Sequence, residues 1–196
     1  MREIATEPAR RHLLGALRSL VLVTAFTNVL GVSAATAADD KALWGKLEAA
    51  SWVRDGSPKA PRTVYVITDP NCHWCHRFWE ASRPWVKAGQ VQVRHLLVGI
   101  VRPDSARKVA AILGAKDPAA AIEQNEVAFA RGGIPPAFAV SKAVEQVLES
   151  NLQLMRELGF QGTPALIYQN SSGAVERVRG FPRSGRLDAV MGSPAP

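Results

Sequence analysis

The most restrictive stretch of this sequence is Thr63-Val64-Tyr65-Val66-Ile67-Thr68, an unbroken run of β-branched and aromatic residues. A strand with one wet face alternates polar and apolar side chains. A run without that alternation must be covered on both faces, as the central strand of a sheet between two layers is. The next residues, Asp69-Pro70-Asn71, are turn formers. From Cys72 to Lys87 the positions Cys75, Phe78, Trp79, Ser82 and Val86 then recur at helical spacing. Pro84 within this segment is expected to kink the helix or split it in two. Gly89 closes it, and Val91 to Val101 reads as a further strand that turns fully apolar at Leu96-Leu97-Val98. Strand, helix, strand in this order predicts a parallel βαβ unit.

The flanking segments fill out an α/β domain. Asp39 and Asp40 are expected to cap a helix running to about Arg54, with Leu43, Leu47, Ala50 and Val53 on one face and Gly56 at its end. Residues 104–158 are rich in Ala, Glu, Gln and Leu, with breaks at Gly114 to Pro118 and Gly132 to Pro136. They read as an insertion of two or three helices, the last capped by Ser141 and stopped at Gly159. Ala165 to Tyr168 and Val175 to Val178 flank the turn Asn170-Ser171-Ser172-Gly173 and predict an antiparallel hairpin at the sheet edge. A short helix from about Ser184 to Met191 ends the chain.

The first 37 residues read differently. A basic stretch ending at Arg18, an apolar run from Leu20 to Val32 and the small residues Ala35-Thr36-Ala37 have the form of an export signal. The apolar run falls short of the roughly 20 residues a membrane-spanning helix needs, so cleavage after Ala37 is expected rather than a permanent anchor. Expected organisation is therefore a signal over 1–37, an N-terminal helix and linker over 38–61, and a catalytic domain over 62–196 with its helical insertion at about 104–158. Formal net charge is +7 for the whole chain; beyond residue 37 there remain 20 Lys and Arg against 15 Asp and Glu. Aromatic residues do not alternate with the basic ones, and nothing here resembles a nucleic-acid surface.

The chain holds only two cysteines, Cys72 and Cys75. Two placed at random in a chain of this length would stand three apart only about 1% of the time. Four chemistries fit Cys72-His73-Trp74-Cys75-His76. A structural staple across so short a loop constrains the unfolded state by only about 2 kcal/mol. Cys-x-x-Cys-His also satisfies a c-type haem attachment pattern, but here it stands between two strands rather than in an all-helical wrap. Zinc would need His73 or His76 to help the cysteines, yet ligands crowded on one turn do not easily complete a tetrahedron, and His95 and His12 are remote. Thiol–disulfide exchange fits the placement. At a helix start, unpaired amide N–H groups and the positive end of the helix dipole stabilise a Cys72 thiolate, while Cys75 one turn deeper keeps its proton longer. Cys72 is then the attacking thiol and Cys75 the resolving one. His73 and Trp74 tune the pair or touch substrate.

Together these residues resemble the periplasmic DsbC/DsbG-type thiol:disulfide interchange proteins, the DsbG type more closely. The likeness is densest in Ala50-Ser51-Trp52, Asp69-Pro70-Asn71-Cys72, Phe78-Trp79, Arg83-Pro84-Trp85-Val86 and Leu96-Leu97-Val98-Gly99. It continues through Asp117-Pro118, Leu154-Met155, Leu158-Gly159, Thr163-Pro164-Ala165 and Met191-Gly192. The resemblance implies a thioredoxin-like fold with a helical insertion, and disulfide isomerase or reductase activity on exported client proteins without cofactor or metal. It also implies a DsbD-type membrane reductant, and a Thr163-Pro164 loop, its proline cis, that pairs with bound peptide. His73-Trp74 departs from the usual dipeptide, so the redox potential does not transfer. Only about 25 residues separate Ala37 from the first strand, too few for the family's dimerisation domain. A monomer is expected, acting as a reductase, including one for single oxidised cysteines, or as a DsbA-like oxidant served by an oxidase. The contrasting class is a client-binding chaperone that does not use its thiols.

Overall fold

A computed structural model describes residues 28–183 and 185–196; side chains are described from Ala37 onward. Residues 1–27 of the expected export signal lie outside the described residues. Residues 37–196 form one compact unit.

Its centre is the stretch picked out above. Strand β2 (Arg62–Thr68) lies mid-sheet in the order β1-β3-β2-β4-β5, where β1 is Val53–Asp55, β3 Val91–Leu97, β4 Ala165–Gln169 and β5 Val175–Arg179. β2 and β3 are parallel and every other pairing is antiparallel. The alternation of side chains along β2 divides the core in two. Tyr65 and Ile67 face a cluster with Leu43 and Leu47 of helix α1 (Asn28–Ala49) and Leu154 and Met155 of helix α5 (Lys142–Glu157). Val64 and Val66 face Phe78, Trp85 and Val86 of helix α2 (His73–Lys87) and Val190 and Met191 of helix α6 (Arg186–Met191). Helices α3 (Ser105–Leu113) and α4 (Pro118–Val127), followed by a 3-10 turn at Phe129–Arg131, carry a third cluster in which Val109, Ile112 and Ile122 pack on Val53 and Leu97.

Four local expectations are corrected. The N-terminal helix is already formed at Asn28, so Asp39 and Asp40 stand inside it, and Asp40 Oδ2 accepts the Val175 N–H at 2.9 Å instead of capping. That helix stops at Ala49, because Val53, Arg54 and Asp55 pair with His95, Arg94 and Val93 as the edge strand β1. Pro84 does not split α2. It sits in the last turn, where its missing N–H deprives only one carbonyl, and the buried Trp85 and Val86 hold the residues beyond it on the sheet. Strand β3 ends at Leu97 rather than Val101, since the N–H groups of Ile100 and Val101 turn to Asp69 Oδ2 at 2.7 and 3.0 Å. Gly99 makes this bend possible: a Cβ there would lie 2.7 Å from the Ala106 Cα.

Arg83 ties the end of α2 to β1. Its Nη1 donates to Asp55 Oδ1 at 3.1 Å, its guanidinium lies 4.3 Å from the Trp79 ring centroid, and His95 Nε2 is 3.5 Å from Asp55 Oδ2. Burial by itself would raise the Asp55 pKa, but His95 and Arg83 outweigh it and hold the carboxyl well below the usual carboxylate range. With the folded pKa depressed, the stabilisation is complete above the unfolded value of about 3.9 and is lost as pH falls below it. Asp55→Asn is predicted to cost about 3 kcal/mol in urea unfolding at pH 7, with the gap to the parent protein narrowing as pH falls below about 4.

Candidate active site

The turn between β2 and α2 is fixed before the cysteines begin. Asp69, 1% exposed, accepts four hydrogen bonds: Asn71 N–H and Ser105 Oγ–H at Oδ1, both 2.8 Å, and the two N–H groups of Ile100 and Val101 at Oδ2. Asp69 accepting from the amide two residues on is an Asx turn, a signal present in Asp-Pro-Asn. The insertion grips the same turn. Asn71 Nδ2 donates to Asp104 Oδ1 at 2.9 Å, Asn125 Nδ2 donates to the Pro70 carbonyl at 3.1 Å, and the buried Lys108 Nζ donates to Asn71 Oδ1 and the Gly132 carbonyl, both at 2.6 Å. Sequence reasoning missed Asp69, Lys108 and Asn125 as site residues. For Lys108 and Asn125 no local pattern marks them, because each is a polar residue on the inward face of an otherwise ordinary helix.

Cys72 is the N-cap of α2. Its backbone is extended, at φ −82° and ψ 113°, and its sulfur accepts the Cys75 N–H at 3.2 Å. A thiolate is favoured at such a cap by the free amide donors and the dipole of the first turn. The Cys72 thiol donates to the Thr163 carbonyl at 3.4 Å, and the Thr163–Pro164 peptide bond is cis. The structure thus brings Cys72, Cys75, Thr163 and Pro164 together from two distant parts of the chain. The Cys72 pKa is lowered to about 7, chiefly by its hydrogen bond with Cys75, with burial and the negative charge of Asp69 opposing. Burial first, and the neighbouring Cys72 second, push the Cys75 thiol well above the ordinary range. One thiol of the pair is primed to attack and the other holds its proton.

The other motif residues form a rim. Trp74 is 56% exposed, 5.4 Å between ring centroids from the exposed His73 and 6.1 Å from Phe181. His76 takes a different part. Its ring is stacked on Phe129 at 4.4 Å, and its nitrogens face carboxylates, Nδ1 2.9 Å from Glu126 Oε2 and Nε2 3.6 Å from Glu80 Oε1. Among the described residues no group of three or more His, Cys, Asp or Glu side chains stands together as a metal site would need, and His95 is turned to Asp55. His12 lies outside the described residues.

A dithiol on the first turn of a helix, set against a cis-proline turn at the end of a mixed five-stranded sheet, defines a thioredoxin-fold protein with a dithiol centre. The chain belongs to the thioredoxin-like domain family, which matches residues 56–193. Its relatives within that family are of the DsbC/DsbG type. It is 42% identical over 152 residues to the thiol:disulfide interchange protein DsbG of Pseudomonas aeruginosa, covering 78% of this chain and 59% of the relative. It is 38% identical to DsbG of Escherichia coli, covering 77% of this chain and 61% of the relative. The chain thus spans about three-fifths of the length of these curated relatives. Among solved structures, the catalytic domain of Proteus mirabilis ScsC superposes with a TM-score of 0.64 at 21% identity, over 78% of this chain and 96% of that one. The thiol-disulfide exchange protein alpha-DsbA2 of Wolbachia pipientis gives 0.61 at 14% identity, over 83% and 97%. Both share the fold.

In the reduced protein, iodoacetamide is predicted to alkylate one cysteine with a rate that rises through a midpoint near pH 7, following the value of about 7 for Cys72. Cys72→Ser is expected to abolish this phase, and mass spectrometry should find Cys75 unmodified at neutral pH. A midpoint at the ordinary thiol value of about 8.5 would contradict the arrangement.

Proposed function

We propose that this chain is a periplasmic thiol:disulfide oxidoreductase that reduces or isomerises disulfides of exported proteins. The reading rests on one observation: Cys72 lies between the Cys75 N–H and the Thr163 carbonyl with its acidity raised, while the adjacent Cys75 is buried and protonated. In the proposed cycle the Cys72 thiolate attacks one sulfur of a client disulfide. The client S–S bond breaks and its other sulfur leaves as a thiolate. Cys75 then gives up its proton and attacks Cys72 Sγ, closing the Cys72–Cys75 bond and releasing the second client sulfur reduced. Two electrons pass from the dithiol to the client, and a membrane reductant of the DsbD type returns them. Isomerisation follows when a client thiol attacks the mixed disulfide before Cys75 does.

Thr163 is assigned the backbone contact for an extended client segment, and Pro164 leaves that edge of the turn without a competing N–H. His73 and Trp74 are assigned to the rim that tunes the pair and touches the client. The thiol, capping and cis-proline groups all come from one chain, which supports action as a monomer. Export across the inner membrane, with cleavage after Ala37, belongs to the same proposal. It is supported by the form of residues 1–37; among the described residues no helix is long and apolar enough to cross a membrane.

A DsbA-like oxidant is the second reading. A Cys72 pKa of about 7 argues against it, because strong oxidants hold their reactive thiolate at a far lower value, about 3.5 in DsbA. A redox titration against glutathione discriminates. The expected potential lies between about −270 and −180 mV, and a value near −120 mV would overturn the reductive direction. Cys72→Ala is expected to remove insulin reductase activity entirely; a wild-type protein without reductase activity, whose client binding Cys72→Ala leaves unchanged, would instead be a client-binding protein whose thiols are idle.

A further inference from the structure

Two cavities flank the cysteine turn. On the insertion side, a space of about 170 Å3 beside Asn71 is lined by Arg102, Asp104 and the Lys108 ammonium. That ammonium already donates to Asn71 Oδ1 and the Gly132 carbonyl, with Asp104 4.0 Å away, so its charge and its hydrogens are satisfied within the protein. On the other side, a cavity of about 350 Å3 opens beside Thr163, the residue whose carbonyl meets Cys72. Phe160, Gln161 and Arg179 line it together with the backbone of Gly159, Gly162 and Gly180.

Arg179 has no acidic partner among the described residues. Its Nη2 makes one long hydrogen bond to the Gly159 carbonyl at 3.4 Å, and its guanidinium lies 5.9 Å from the Phe160 ring centroid. An arginine carries five N–H donors in a planar fork suited to a carboxylate, and here most of them point to no protein group. The surrounding sequence is basic as well. Arg177, Arg179, Arg183 and Arg186 follow one another with no carboxylate between Glu176 and Asp188. Arg177 and Arg179 stand on the edge strand β5, and with Arg183 and Arg186 they give the segment after Glu176 a single-signed field. The segment also reaches the cysteine rim, because Phe181 contacts Trp74 and the Gly180 N–H donates to the Pro164 carbonyl at 2.8 Å.

We infer that the cavity beside Thr163 is a specificity pocket in which Arg179 receives an Asp or Glu side chain standing one or two residues from the client cysteine. The inference rests on the proposed exchange reaction and narrows its substrates to cysteines in acidic, extended segments. The client backbone lies along Thr163, its cysteine meets Cys72, and a neighbouring side chain falls into the pocket. There its carboxylate pairs with the Arg179 fork, and its methylenes rest on Phe160.

The test uses the reduced full chain and three probes. Two are synthetic peptides carrying one cysteine as a mixed disulfide with 2-mercaptoethanol, flanked either by Asp residues or by Lys residues. The third is neutral hydroxyethyl disulfide. The acidic peptide is expected to react about three- to fivefold faster than the basic one at low salt, the range of an exposed ion pair, and the ratio should shrink toward one at 0.5 M salt as screening grows. Arg179→Glu should invert the ratio, Arg179→Gln should bring it near one, and Arg179→Lys should keep its direction. A wild-type ratio near one, or a ratio that Arg179→Glu leaves in place, would overturn the inference while the exchange reading survives. Failure of the wild-type dithiol to react with hydroxyethyl disulfide would instead remove the exchange reading, and the pocket's role with it.

Discussion

Everything at this site hangs on one buried carboxylate. Asp69 leaves the end of β2, and its oxygens collect four donors from three places: its own turn, the loop after β3 and the start of α3. A carboxylate out of water is tolerable only when its lone pairs are taken, and these are. The result is a rivet. It sets the length of β3, the entry to the insertion and the angle at which Cys72 begins α2. Because Asp69 is negative, it also opposes the anion at Cys72. The Cys75 contacts more than offset that opposition, which leaves a moderate thiolate rather than an extreme one.

A moderate thiolate suits the proposed exchange, in which the dithiol must both give and recover electrons. Exchange is fastest when the attacking thiol titrates near ambient pH, because a thiol that ionises too readily is also a poorer nucleophile. The division of labour between the two sulfurs follows from depth. Cys72 sits at the cap, within reach of amides and a carbonyl, and Cys75 lies against the sheet where charge is disfavoured. The same helix supplies both environments, so a single turn of backbone separates the two roles.

Much of this was legible in the residues themselves. The apolar run of β2 located the centre of the sheet, and the order turn, Cys72, helical repeat, Cys75 located the thiols. The link to Thr163-Pro164 came from family likeness, since nothing local in Gly162-Thr163-Pro164 says which element it will meet. What stayed hidden is the set of contacts between segments far apart in sequence. β1 is only three residues long and pairs with residues some 40 positions away, too short for a periodicity to register. Lys108 and Asn125 act through long-range hydrogen bonds, for which spacing carries no signal. The misplaced end of β3 has the same cause. Leu97-Val98-Gly99-Ile100-Val101 has a strand's composition, but a side-chain acceptor elsewhere takes its amides.

The Trp85 indole, on the same helix as the cysteines, is 3% exposed and donates to the Ser193 and Pro194 carbonyls, both at 3.0 Å. The last residues of the chain are therefore part of the packing of α2 and not a trailing end. Removing them would leave a buried N–H without an acceptor, a loss of about 1–3 kcal/mol. The strain would enter the helix whose first turn holds Cys72. An affinity tag joined directly at Pro196 would pull on that same tryptophan. Seating of the tail is thus coupled to the packing of the helix that carries the dithiol.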